Sequence, residues 1–156
     1  MLRELMVHEG LAVDATFSAA TAMKTGCGVV KNFATKEIAF PTEETAANIC
    51  IVEKARIPKG INAARTQFSD YDEDFVNVEE GEKAVAYVFP AGTMFATDQY
   101  DTENLTADAG EKYVAWNTEG KAVVAASASF YKFIGIHNDN GHLLAKIYVC
   151  DTAGTN

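Results

Sequence analysis

Ala84–Tyr100, which reads AVAYVFPAGTMFATDQY, limits the fold more than any other stretch of this chain. Val85, Tyr87 and Phe89 alternate with Ala84, Ala86 and Val88, a period of two that fits a strand buried on both sides. Pro90-Ala91-Gly92 breaks the run. A proline with φ pre-set at the second turn position and a glycine at the fourth predict a type I turn. Thr93–Thr97 then resumes as strand, with Met94 and Ala96 on one face and Phe95 on the other. The stretch therefore predicts two strands about a tight turn, at the centre of the core.

The same signals recur along the chain. Val29–Phe33, Glu37–Phe40, Ile49–Arg56, Phe75–Val78, Lys112–Asn117 and Lys121–Ala126 read as short strands closed by Gly, Pro or Asn. Ser127–Ser129 mark a bend in a run that continues to Ile136. The clearest local signal is a hairpin, in which Phe130–His137 and His142–Cys150 flank Asn138-Asp139-Asn140-Gly141, because Asn-Gly tolerates the positive φ angles of a tight turn. Leu11–Lys24 fits either helical or strand spacing and, being rich in Ala, Ser and Thr, is expected to bury little. Thr42–Asn48 suits one helical turn with Thr42 as its cap. Ile61–Asp74 and Asp98–Gly110 read as loops. About ten short strands without a sustained amphipathic helix predict an all-β fold, an antiparallel β-barrel or β-sandwich. Residues 1–24 are expected to form an N-terminal arm, 25–150 a single β domain and 151–156 a polar tail.

Composition narrows the function classes. The formal charge of −9 disfavours nucleic acid as a direct partner, since phosphates would be repelled. Residues 67–119 hold thirteen acids against two bases, Lys83 and Lys112, so one sector carries essentially the whole net charge. Cys27, Cys50 and Cys150 are odd in number and widely spaced, which predicts reduced, structural thiols in a reducing compartment. Met1–Glu9 does not resemble a signal peptide, and no apolar run approaches the length needed to cross a membrane.

Catalytic and metal signatures do not emerge from the residues. Asp70, Asp72 and Asp74 form D-x-D-x-D, but Phe75 and Gly81 stand where a calcium loop of the EF-hand type needs Gly and Glu. His137, Asp139 and His142 surround one hairpin tip and could supply metal ligands, although no fourth ligand is in view and the turn is exposed. No G-x-S-x-G or H-E-x-x-H occurs, and Gly26-Cys27-Gly28 lacks the rest of a dinucleotide fingerprint. No cofactor, no metal and no enzymatic activity are expected.

Three runs carry a family resemblance: VAYVFPAGTMFATDQY at 85–100, AGEKYVAWNTEGKAV at 109–123 and FIGIHNDNGHLLAKIYV at 133–149. Together they resemble small β-rich virion proteins of tailed bacteriophages, in particular capsid decoration (cement) proteins. The shared pattern is a strand and Gly turn leading to F-A-T-D, an A-G-E-k-Y-V strand, a G-K-turn strand, and a late V/I-G-I strand paired to the C-terminal one. It covers roughly residues 80–150, about half of the chain, and does not extend to residues 1–66. The resemblance implies a non-enzymatic protein made in the host bacterial cytoplasm and carried on the capsid exterior. It also implies the major capsid protein as partner, a homo-oligomer (trimer or dimer), and a grip through an extended terminal arm. On that basis the expected contact residues are Leu2, Leu5, Met6, Val7, Leu11, Val13 and Phe17. The alternatives are a phage tail or head–tail connector component, a monomeric small-ligand or glycan-binding β-barrel with Trp116 and Tyr113 as stacking groups, and, more distantly, a hydrolase.

Overall fold

A computed structural model describes residues 1–6, 12–55, 71 and 73–156. Its strands in chain order are β1 (Leu2–Met6), β2 (Ala12–Asp14), β3 (Ser18–Ala19), β4 (Met23–Lys24), β5 (Gly28–Asn32), β6 (Glu37–Ala39) and β7 (Cys50–Lys54). The short helix α1 (Glu73–Val76) leads directly into β8 (Asn77–Val78), followed by β9 (Ala84–Val88), β10 (Met94–Thr97), β11 (Lys112–Trp116), β12 (Ala122–Val124), β13 (Ser129–Asp139) and β14 (His142–Gly154). They form two open six-stranded sheets, ordered β1-β10-β14-β13-β11-β12 and β2-β9-β7-β5-β6-β3, with a two-stranded β4-β8 ribbon. Every pairing is antiparallel except β3 with β6. The architecture is sandwich-like, and neither sheet closes into a barrel.

Alternation sorts the side chains into layers, as a pleated strand requires. Phe95, Val114, Trp116, Phe133, Ala145 and Ile147 of the first sheet meet Ile51 and Tyr87 of the second, with Ile49 just before β7. The opposite face of the second sheet sends Val29, Cys50, Val52, Ala84 and Ala86 into a further apolar layer, with Phe17, Ala19, Met23 and Val78. The second sheet is therefore covered on both faces. Small Ala84 and Ala86 suit it, because segments 17–23 and 78 press directly on them.

The central stretch departs from expectation in one respect. β9 and β10 do not pair; they lie in different sheets, and Pro90–Gly92 carries the chain across. Gly92 takes φ +83 as the third residue of a turn closed by Thr93 N donating to Pro90 O at 3.3 Å. That positive φ belongs to a type II turn rather than the expected type I. Gly92 N donates to Val149 O (2.8 Å) and Val149 N to Thr93 O (2.9 Å), which draws the outgoing strand onto β14. Phe89 and Phe95 then stack with ring centroids 4.4 Å apart, filling the space at the crossing.

The hairpin at Asn140-Gly141 forms as the sequence predicts. Asp139 pairs with His142, and both loop residues have positive φ (52° and 94°), the signature of a type I′ turn. Asp98–Gly110 is irregular, yet Leu105 is fully buried and anchors it to the core. The bend expected over Ser127–Ser129 falls at Ala126 and Ser127, between β12 and β13, and Ser129 already belongs to β13.

Other expectations are corrected. Residues 1–24 do not extend as an arm where they are described: β1 pairs with β10, β2 with β9, β3 with β6 and β4 with β8. Phe17 and Met23 are buried, so Leu11–Lys24 contributes core rather than surface. Backbone pairing explains this, since β1, β2 and β3 each occupy a sheet edge and β4 pairs with β8. Thr42–Asn48 forms no helical turn; Thr45 instead exchanges two backbone hydrogen bonds with Trp116, at 3.0 and 2.8 Å. The C-terminal tail is docked as well. β14 reaches Gly154, and the Asn156 amide accepts from Tyr113 N (2.7 Å) and donates to Tyr113 O and Ala125 O (both 3.0 Å).

Candidate interaction surfaces

The hairpin tip proposed as a ligand set is occupied by the protein itself. The Asp139 carboxylate accepts from Arg3 Nε at 2.6 Å and from Tyr71 Oη at 2.9 Å. Hydrogen bonds from these two groups, Arg3 first, hold its carboxyl below the usual range. Burial, reinforced by Asp139, pushes the Tyr71 phenol up to about 12. The His142 ring lies on Tyr71 with centroids 3.5 Å apart and planes 11° from parallel. This cluster fastens β1, the turn at Tyr71 and the β13–β14 hairpin to one another. Among the described residues no three His, Cys, Asp or Glu side chains converge as a metal site would require. Asp70 and Asp72 lie outside the described residues.

Burial disfavours the thiolate form at all three cysteines. Burial pushes Cys27 up to about 11 and raises Cys50 and Cys150 above the ordinary thiol value. Trp116 is fully buried in T-shaped contact with Tyr131, centroids 4.5 Å apart, so it cannot stack on a ligand. Its indole N–H has no acceptor among the described residues.

The expected contact residues separate. Leu2 and Phe17 are core, and Leu5 is half-buried against Met1, Ala96, Leu144 and Tyr71. Met6 (45% exposed) and Val13 (54%) remain accessible. Val7 and Leu11 lie outside the described residues.

Two surfaces missed by the sequence reading carry apolar groups. The first is an open groove of about 680 Å³ at the end of the second sheet. Val30, Lys31, Phe33, Ile49 and Val88 line it together with residues of the segment 41–48. Phe33 is 68% exposed and Val88 38%. On the neighbouring edge strand Ala12 pairs with Val88, whereas exposed Val13 pairs with Tyr87 and lies on the other face. Asp14 fixes that strand by accepting from Thr16 N (3.0 Å) and Thr16 Oγ1 (2.7 Å) and pairing with Lys31 Nζ (3.0 Å). These bonds, the Thr16 hydroxyl foremost, lower its pKa from 3.8 to about 2. A depressed carboxylate stabilises the fold fully above its unfolded pKa and loses that contribution as pH falls through the folded value. Parent stability should therefore drop between pH 4 and pH 2. Asp14→Asn should flatten that limb in urea titrations, and an unchanged acid limb would remove Asp14 as its source.

The second surface is the outer face of the first sheet. Direct cross-strand partners share a face, so Met94, Tyr148, Lys132 and Tyr113 form one row over β10, β14, β13 and β11. Arg3, Ala96, Lys146 and Gly135 form the next row over β1, β10, β14 and β13. Met1, Leu5 and Tyr71 cover the β1 end of this face around Leu144. Among the described residues no layer covers the remainder, and Met94, Tyr113, Tyr148, Lys132 and Lys146 are all half-exposed. Lys132 pairs with Glu111 and lies 5.7 Å from the Tyr113 ring centroid.

Comparison with protein families, curated proteins and solved structures finds no match to this chain. No helix among the described residues is long and apolar enough to cross a membrane.

Proposed function

We propose that this chain is a structural virion protein that binds the outer surface of a bacteriophage capsid and stabilises it, with the major capsid protein as partner. The reading rests on the resemblance of residues 85–100, 109–123 and 133–149 to decoration proteins. Those runs supply β10, β11, β13 and β14, the continuous centre of the first sheet. The observation that carries a binding role is the open groove with Phe33 and Val88 exposed in its lining. Exposed apolar groups clustered about a concavity are what a protein-binding surface presents. Interface buried there across capsomer boundaries would bind only the assembled shell and so stabilise it by mass action. A tail or head–tail connector component would use the same surface. The glycan-barrel reading loses one of its two expected stacking groups, because Trp116 lies in the core.

The test is co-sedimentation of the purified chain with heads of the phage that encodes it. The parent should pellet with the heads, and Phe33→Ser with Val88→Asp should weaken binding roughly tenfold or more. Heads that leave the parent in the supernatant would overturn the capsid reading. Equal binding by parent and variant would place the contact elsewhere.

A further inference from the structure

We propose that the open groove receives an extended segment of a partner protein, which adds to β5 at Lys31 in the register that β7 does not continue. The inference rests on this groove being a protein-binding surface and adds the mode of recognition. Three adjacent strands set the geometry. β5 pairs with β7 only at Gly28–Ile51 and Val29–Cys50, and β7 pairs with β9 from Ile51–Tyr87 onward. Both neighbours run past the start of β7, β5 to Asn32 and β9 to Val88. The sheet therefore forks. The two registers would place Asn48 opposite Lys31 and Ile49 opposite Phe89, yet neither pair exchanges a backbone hydrogen bond. The cause is local. Asn48 has φ 56°, which turns the chain out of the strand. Thr45 is bound to Trp116 by two backbone hydrogen bonds, and the Glu44 carboxylate accepts from Ala126 N at 2.8 Å. The segment before β7 is thus tied to the first sheet rather than to β5.

Lys31 supplies the free edge. Cys27 O accepts from Val52 N (3.0 Å) and so faces β7, whereas Gly28 N donates away from it, to Gly120 O (2.8 Å). By alternation the N–H and C=O of Val29 and Lys31 face the β7 side. Ile38 of β6, opposite Lys31, agrees, since its C=O accepts from Ala20 N (2.9 Å) on the side away from β5. Val29 meets Cys50, but the Lys31 N–H and C=O have no backbone partner among the described residues. A donor and an acceptor of one residue facing the same way are what an antiparallel strand pairs with. The lining suits such a guest. Val30 and Ile49 belong to one face of the sheet and Lys31, Cys50 and Val88 to the other, so the groove lies in the plane of the sheet, at the fork. Exposed Phe33 is held edge-on against Phe17, centroids 5.4 Å apart, and with Val88 offers apolar contact. Lys31 is neutralised by Asp14, while exposed Glu43 has no ion pair among the described residues. That carboxylate, on a chain of net charge −9, favours a basic partner over a second copy. The occupant is therefore an extended segment of another protein in which apolar and basic side chains alternate.

Titrating the isotope-labelled full-length chain with a short blocked peptide of alternating lysine and valine tests this. In the free protein the Lys31 amide should exchange with deuterium faster than that of Val29, its ladder-paired neighbour. Saturation with the peptide should slow exchange at Lys31 roughly tenfold or more. The fully N-methylated peptide keeps the side chains and loses the backbone donors, and should bind roughly tenfold more weakly. Glu43→Lys should transfer the preference to the peptide with glutamate in place of lysine, a gain that a misfolded variant would not show. A Lys31 amide already protected in the free protein, no binding of the peptide, equal binding of its N-methylated form, or an unchanged charge preference in Glu43→Lys would overturn the proposal. Heads that bind the parent while the peptide does not would overturn this mode alone. Peptide binding with the parent left in the supernatant by heads would support it and overturn only the capsid reading.

Discussion

Gly28→Ala is expected to cost about 3 kcal/mol, the upper end for adding one methyl group to a filled core. A Cβ at Gly28 would lie 1.9 Å from Trp116 Cδ1 and 2.3 Å from Trp116 Cγ and Nε1. The indole cannot retreat easily, since it is fully buried and packs edge-on against Tyr131. The backbone at Gly28 is also held, its N–H donating to Gly120 O at 2.8 Å. Something must move, and each candidate is fastened. Trp116 is the only tryptophan, so its fluorescence reports this site alone. Urea unfolding should show the lowered midpoint and native emission should shift to the red as water reaches the ring. Substituting Trp116→Leu in the Gly28→Ala background should cost less than the sum of the two single changes. A Gly28→Ala loss below about 1 kcal/mol with unchanged emission would mean that the two residues do not meet as described.

The second large effect separates two neighbours in one strand. Phe95→Ala should cost about 3–5 kcal/mol, the usual range for truncating a buried phenylalanine. Phe95 is fully buried between the sheets and stacks on Phe89. Met94→Ala, one residue earlier and on the outer face, should cost no more than about 1 kcal/mol. Thermal and urea unfolding of both variants measure the contrast. Similar losses at the two positions would contradict the face assignment.

Some of this was legible in the residues. The alternation of Phe95 against Met94 and Ala96 correctly assigned the two faces of β10, and Asn140-Gly141 correctly placed the longest hairpin. Both are local: side-chain direction in a strand repeats every two residues, and a two-residue turn depends on its own φ angles. The expected contact surface was less legible. Leu2, Phe17, Met6 and Val13 look alike in a list of apolar residues, yet two are core and two are exposed. Exposure depends on what lies across the sheet, which spacing along one segment does not encode. The groove was missed for the same reason, because Phe33, Ile49 and Val88 come from three separate segments.

Ala84–Tyr100 shows where the division falls. Its alternation and its Pro-Ala-Gly interruption determined by themselves that two strands would stand about a tight turn. Only the tertiary structure decided that these strands would not pair. Gly92 and Thr93 exchange backbone hydrogen bonds with Val149, more than fifty residues later, which places β10 in the first sheet while β9 stays in the second. Strand partners are chosen by backbone groups common to all residues, so the choice rests on which edges are free and which apolar faces meet.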